Sequence, residues 1–188
     1  MRKVILIGTK HSIQRDDISE NEFELTIKEL IKKFEIKAIG EEIDDKCVSV
    51  ANKIATEEKI SYKVIEPTPS EKENLKIEEL HIIDYRIKEK YEELEDFPSN
   101  LINSGKEFDF KIRKEYISLI EDTYRQREQE WKKRIEQLNI YPILVICGSC
   151  HFKEFSKLLK ESAFEVIEEN ERYGVDDVEF SKDCLKII

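Results

Sequence analysis

The sequence predicts an α/β protein with a mostly parallel central sheet flanked by helices and a long helical insertion over about residues 71–138. Three observations point there. Apolar, β-branched runs of strand length at residues 4–7 and 144–147 read as strands buried on both faces. Strand and helix patterns alternate from the start of the chain through residue 66, as βαβ units with right-handed crossovers require. Helical periodicity then dominates until the chain returns to a strand at Pro142.

The first strand runs through Val4, Ile5, Leu6 and Ile7 and is closed by Gly8, where the backbone can turn sharply. Ser19-Glu20-Asn21-Glu22 has the form of a capping box, and Phe23, Ile27, Leu30, Ile31 and Phe34 follow at helical spacing. A short strand around Ile36, Ala38 and Ile39 is interrupted by Gly40 and ends at Glu41-Glu42. Cys47, Val50, Ala51, Ile54 and Ala55 mark a second helix, and residues 61–66 a third strand that Pro67 and Pro69 stop. Two long helices, about 71–94 and 108–138, separated by a loop over 97–105, are expected to cap one edge of the sheet. A strand at 142–147, a helix carrying Phe152, Phe155, Leu158 and Leu159, and a strand at 164–167 complete the pattern. The last twenty residues carry no clear signal, and no solenoid repeat or low-complexity linker appears.

With 188 residues, 39% of them hydrophobic, the chain can build one ordinary core, so a single domain over 1–188 is expected. The charged fraction is also 39%, and its Lys/Glu-rich stretches at 71–79 and 86–95 read as solvated helix faces. A net charge of -10 argues against a nucleic-acid or anionic-membrane partner, because phosphate neutralisation needs a concentrated positive face. Met1-Arg2-Lys3 leads into too few apolar residues for a signal-peptide core, and no apolar run approaches membrane-spanning length. A cytoplasmic location without a membrane partner is expected, with Cys47, Cys147, Cys150 and Cys184 as reduced thiols.

One short pattern is written twice. Val4-Ile5-Leu6-Ile7-Gly8-Thr9-Lys10-His11 is matched by Leu144-Val145-Ile146-Cys147-Gly148-Ser149-Cys150-His151. Groups just past the carboxyl ends of parallel strands gather at one edge, so His11 and His151 are expected to face one pocket rather than to be independent loop residues. Neutral imidazole is both a common metal ligand and the usual general base near neutral pH. Glu41 and Glu42 end the second strand at the same edge, and alternation along a strand lets one of them enter. His11, His151 and Glu42 would make an open site for zinc, manganese, cobalt or iron. An exposed acidic turn into Asp44-Asp45 is the alternative, and Glu66, before Pro67, is a further carboxylate candidate. His81 lies in a helical stretch and is assigned to surface or packing.

On the second long helix Ile112, Tyr116, Ile120, Tyr124, Trp131, Ile135 and Leu138 form an apolar stripe, and Arg127 fills the gap between Tyr124 and Trp131. An inward guanidinium needs a carboxylate, a phosphate or a polar cavity. Arg127 therefore binds an anionic substrate group or holds a carboxylate, with a snorkelling arginine as the alternative; Arg113 and Arg134 also fall near the stripe. Cys147-Gly148-Ser149-Cys150-His151 also spells the C-x-x-C-H haem-attachment pattern and contains a C-x-x-C between strand and helix. Covalent haem attachment needs an oxidising compartment, and Cys147 completes a buried strand, so Gly148 and His151 carry the signal and the cysteines accompany it.

Gly8-Thr9-Lys10-His11, Glu42-Ile43-Asp44, Arg127-Glu128-Gln129-Glu130-Trp131 and Gly148-Ser149-Cys150-His151 resemble, in order, the motifs of the erythromycin-esterase, ChaN, TraB and Tiki-like superfamily. Glu128 departs from the Asn or Asp usual at its position. The resemblance runs from Gly8 to about Glu168 and rests on four short motifs. It implies an α/β domain whose pocket is lined by His11, His151, Glu42 and Arg127, with Gly8, Gly148, Glu41, Glu66 and Glu128 around them. Members include proposed metal-dependent peptidases, enzymes that open macrolide esters, and binders of haem iron. The expected function is a small hydrolase cleaving an ester or amide in a small-molecule or peptide substrate. In its metal-dependent form His11, His151 and Glu42 hold the ion and Arg127 steadies developing negative charge; in a metal-free form one histidine is the general base. The alternatives are a non-catalytic module for a small anionic ligand or haem, and a thiol oxidoreductase using Cys147 and Cys150.

Overall fold

Continuous apolar runs make inner strands, and here they become the centre of the sheet. A computed structural model of the chain describes residues 2–15, 21–44, 46 and 49–176; the capping box at Ser19, the helix residue Cys47 and residues 177–188 lie outside them. β1 (Lys3–Thr9) and β4 (Ile143–Gly148) pair in parallel, and Val4 to Ile7 and Ile143 to Ile146 are wholly buried. With β2 (Ala38–Glu41), β3 (Ser61–Val64) and β5 (Glu165–Asn170) they form one all-parallel sheet in the order β3-β2-β4-β1-β5. The two edge strands carry exposed Lys63, Glu168, Glu169 and Asn170, which protect the edges from further pairing.

Helices cover both faces. On one, α2 (Asn21–Phe34) and α3 (Val50–Glu57) bury Phe23, Ile27, Leu30 and Ile54 against Ile5, Ile7, Leu144 and Ile146. On the other, Trp131 and Ile135 of α7 (Phe110–Leu138) and Phe155 and Leu159 of α8 (Phe152–Glu161) pack on Val4, Leu6, Val145 and Cys147. At about 1.5–3 kcal/mol for each large apolar side chain buried, these two layers supply most of the drive for folding. The single turn α1 (His11–Gln14) follows β1. Because α2 and α8 leave neighbouring β1 and β4 toward opposite faces, the carboxyl ends of these strands flank the switch point where α/β sheets bind ligands.

The insertion between β3 and β4 has its own core of Ile83, Ile87, Leu101, Ile112, Tyr116 and Ile120. The first of the two expected long helices is broken in two, α4 (Pro69–Leu75) and α5 (Leu80–Lys90). Thr68 and Glu71 cap α4 reciprocally, and Lys76 ends it in the left-handed region at φ 58. The expected loop contains a short helix, α6 (Pro98–Asn103), because a proline is tolerated in the first helical turn. α7, 29 residues long, packs its first half in the insertion core and its second half on the sheet, which brings residues 124–131 over the carboxyl edge. No helix among the described residues is long and apolar enough to cross a membrane.

The duplicated pattern is not duplicated in space. Gly8 pairs with Cys147 and Thr9 with Gly148, so the two copies are out of phase by one residue. A one-residue shift exchanges the faces of a strand. Val4 and Leu6 accordingly lie on the α7/α8 face, whereas their counterparts Leu144 and Ile146 lie on the α2/α3 face. Gly8 is required by close approach: a Cβ there would sit 2.2 Å from the carbonyl oxygen of Glu171, in a segment pinned by the bond from Tyr173 N–H to Gly8 O at 2.8 Å. Gly8→Ala is expected to destabilise the fold by roughly 1–3 kcal/mol through overpacking, read as a lower urea midpoint; an unchanged midpoint would contradict this packing.

Candidate functional site

Every strand end from β1 to β4 contributes a group to one place. β2 ends at Glu41, and alternation turns Glu41 and Glu42 to opposite sides. Glu41 faces α3, where its Oε2 accepts from Ser49 Oγ at 2.5 Å and Tyr62 OH at 2.6 Å; its buried Oε1 has no hydrogen-bond partner among the described residues. Burial pushes this carboxyl up to about 7, helped by the charge of Glu42 and opposed by the two hydroxyls. Glu41 is therefore a core residue, and Glu42 is the carboxylate that enters the cavity.

Glu42 Oε1 accepts from Arg127 Nη2 at 2.5 Å, and its Oε2 accepts from the Gly148 backbone N–H at 2.6 Å. Burial alone would raise its pKa, but the Arg127 guanidinium above all, with the two histidines and the Gly148 N–H, holds it down at about 2. Arg127 also donates to Glu66, from Nε at 3.1 and 3.2 Å and from Nη2 at 3.1 Å. Glu66 in turn accepts from Trp131 Nε1 at 2.8 Å and pairs with Lys72 at 2.7 Å. Burial disfavours a charge on Arg127, yet Glu42 and Glu66 outweigh it and keep the guanidinium charged. Tyr124, Arg127, Glu128 and Trp131 recur at i, i+3, i+4 and i+7, so one face of α7 supplies this whole group.

The two histidines differ. His151, with 5% of its side chain exposed, lies against the rings of Tyr124 at 4.3 Å and Trp131 at 4.7 Å, with Nδ1 2.9 Å from Glu128 Oε1. Its Nε2 faces Arg127 Nη1 at 3.4 Å. His11, 45% exposed, has Nδ1 2.6 Å from Gln14 Oε1. The Gln14 amide is oriented by its own bond from Nε2 to the Glu42 carbonyl oxygen at 3.1 Å. The oxygen of Gln14 can only accept, so in the neutral imidazole Nδ1 of His11 carries the hydrogen and Nε2, 3.7 Å from Glu42 Oε1, the lone pair. His11, Glu42, Tyr124, Arg127 and His151 line a cavity of about 450 Å³, of ordinary ligand-site size. The sequence reasoning passed over Gln14, whose only local signal is its i+3 spacing from His11 on a single turn.

Of the expected residues, His11, His151, Glu42, Arg127 and Gly148 line this cavity; Glu66 and Glu128 stand behind Arg127 and His151; Gly8 serves packing. The metal site expected from His11, His151 and Glu42 does not fit this arrangement. Arg127 inserts between Glu42 and His151 and supplies the positive charge there, the Glu42 oxygens are occupied, and among the described residues no group of three His, Cys, Asp or Glu side chains is placed to hold an ion. Nor is Arg127 free for an anionic substrate, since two carboxylates already match it. Cys147 is a free, fully buried thiol whose pKa is raised first by burial and then by Glu42 and Glu128, which removes its nucleophilic form. Cys150 is disulfide-bonded rather than reduced as expected, and since Cys147 is free the C-x-x-C is not closed on itself. His81 is exposed beside Glu79, as expected of a surface residue.

Compared with protein-family models, with curated proteins and with solved structures, the chain matches none.

The two adjacent glutamates titrate with opposite sign. The depressed pKa of Glu42 contributes stability that is present above about 4.5 and lost as pH falls toward about 2. The raised pKa of Glu41 contributes stability present below about 4.5 and lost as pH rises through about 7. Denaturation as a function of pH should show Glu41→Gln removing the loss between about 4.5 and 7, and Glu42→Gln destabilising the protein at pH 7 while flattening its acid limb. Parallel pH profiles for the wild type and both variants would contradict these environments.

Proposed function

We propose that this chain is a metal-independent hydrolase of an ester or amide bond in a small-molecule or peptide substrate, with His11 as the general base. The observation that carries this reading is the Gln14 amide, which leaves the lone pair of His11 Nε2 in the cavity and next to a buried carboxylate. A water bound at Nε2 gives its proton to His11 as its oxygen adds to the carbonyl carbon of the substrate. The imidazolium so formed lies near Glu42, whose charge is maintained by Arg127 and Gly148. The acyl bond then breaks, and His11 returns the proton to the leaving oxygen or nitrogen.

Arg127 Nη1, held among the described residues by nothing shorter than the 3.4 Å contact with His151, is the donor nearest to hand for the oxyanion. His151, fixed by Glu128 and two aromatic rings, steadies that guanidinium and is a positioning residue. A non-catalytic module for an anionic ligand ranks second, because the charge of Arg127 is already matched.

Turnover of p-nitrophenyl acetate and of simple acyl amides by chelator-treated protein tests the proposal. The wild type is expected to hydrolyse at least one of them with no loss on chelation. His11→Ala should lower kcat by about 10²–10⁴-fold, the usual worth of a general base, and Gln14→Leu should lower kcat with KM little changed. Absence of turnover, abolition by chelators, or full activity in His11→Ala would overturn it.

A further inference from the structure

Two cavities meet at the same three side chains. The first, of about 450 Å³, and a second, of about 360 Å³, share His11, Glu42 and Arg127 and diverge on either side of them. Their remaining walls differ in chemistry. The first adds Leu80, Tyr124 and Val175 beside Lys10, Ser12 and His151 and is the more apolar of the two. The second adds Arg15, Asp44, Lys72 and Glu79, charged side chains of both signs, beside Ile43 and Pro67, and is the more polar. Neighbouring Glu79 and Leu80, at the start of α5, line the more polar and the more apolar cavity respectively, so the insertion contributes to both.

We propose that the chain acts on a two-sided substrate, an apolar acyl group joined by an ester or amide bond to a neutral, hydroxyl-rich alcohol or amine. This rests on the hydrolase reading above. The polarity of the substrate follows from the placement of the oxyanion donor. Arg127 Nη1 points toward His151, which lines only the first cavity, so the carbonyl oxygen and its acyl chain belong on that side. The leaving group falls into the second cavity, where donors and acceptors of both charges suit hydroxyl groups better than a net ion. His11, half-exposed between the two, reaches both the attacking water and the leaving atom. In the reaction, water adds its oxygen to the acyl carbon, the bond from that carbon to the leaving oxygen or nitrogen breaks, and the proton taken up by His11 passes to the leaving group; an acid and a polyol or amine are released.

The glycerol and hexyl monoesters of 3-phenylpropanoic acid share one acyl group and differ in the polarity of the alcohol. The full chain is expected to favour the glycerol ester in kcat/KM by about tenfold or more, the worth of one or two hydrogen bonds. Arg15→Leu combined with Glu79→Leu should abolish that preference, while Leu80→Asp should lower kcat/KM for both esters together. Equal use of the two esters by the wild type, or a preference untouched by the double variant, overturns the two-sided substrate. Should neither ester be cleaved, calorimetry with the ketones that replace each ester oxygen by a methylene separates the two ideas. Selective binding of the polyol ketone, lost in the double variant, would uphold the two-sided site and overturn only catalysis; failure of the wild type to bind either ketone would overturn the two-sided site as well.

Discussion

The buried ion pair between Glu42 and Arg127 is the constraint on which the rest of the site depends. An uncompensated charge in this position would cost several kcal/mol, and here each partner is matched more than once. Glu42 also takes the Gly148 N–H, while Arg127 also takes Glu66, which holds Lys72 and Trp131. The chain Lys72–Glu66–Arg127–Glu42–Gly148 joins the ends of β2, β3 and β4 to α4 and α7, elements from both the sheet and the insertion. A buried pair of this kind adds little net stability against a well-packed apolar substitute, but removing one member leaves the other charge stranded. It acts by selecting one docking of α7 on the sheet edge, because other dockings would part the Arg127 guanidinium from its two carboxylates, Glu42 and Glu66.

The same pair explains why two imidazoles and a carboxylate at one sheet edge do not amount to a metal centre. A divalent cation and a guanidinium compete for the same electrostatic role, and Arg127, tethered in α7 and held on two carboxylates, already fills it. With Arg127 in place, His151 Nε2 has a guanidinium before it rather than open space, and the remaining unblocked ring nitrogen is that of His11. In the proposed mechanism a base, a carboxylate that supports its charged form, and a fixed cation take the place of a bound ion.

Much of the fold was legible in the sequence because burial on both faces writes itself as a continuous apolar run, as at Val4 to Ile7 and Leu144 to Cys147. Arg127 was legible for a similar reason, as a charge interrupting a helical stripe. Strand order and register were not, since a run of apolar residues does not name its neighbour; the one-residue phase shift between Gly8 and Gly148 exists only in the pairing. The break between α4 and α5 falls at Lys76, a left-handed residue of a type that gives no such signal, and Pro98 punctuates a loop and opens a helix equally well. Glu41 and Glu42 were known to face opposite ways, but which one entered the cavity depended on where α3 and Tyr62 lay. Gln14 escaped notice because a glutamine becomes informative only when both ends of its amide are accounted for.

The phase shift also gives the two histidines unequal surroundings. Had the copies been in register, corresponding residues would share a face and His11 and His151 would approach the cavity alike. Instead β1 is followed at once by the single turn of α1, which leaves His11 half in solvent, while the turn after β4 tucks His151 beneath α7. A general base must exchange its proton with water and with a leaving group, which needs exposure; a positioning group must hold still, which needs burial on every side. His11 has the first environment, and His151, between two rings, a carboxylate and a guanidinium, has the second. Two copies of one sequence pattern thus place their histidines in different environments because their strands pair one step apart.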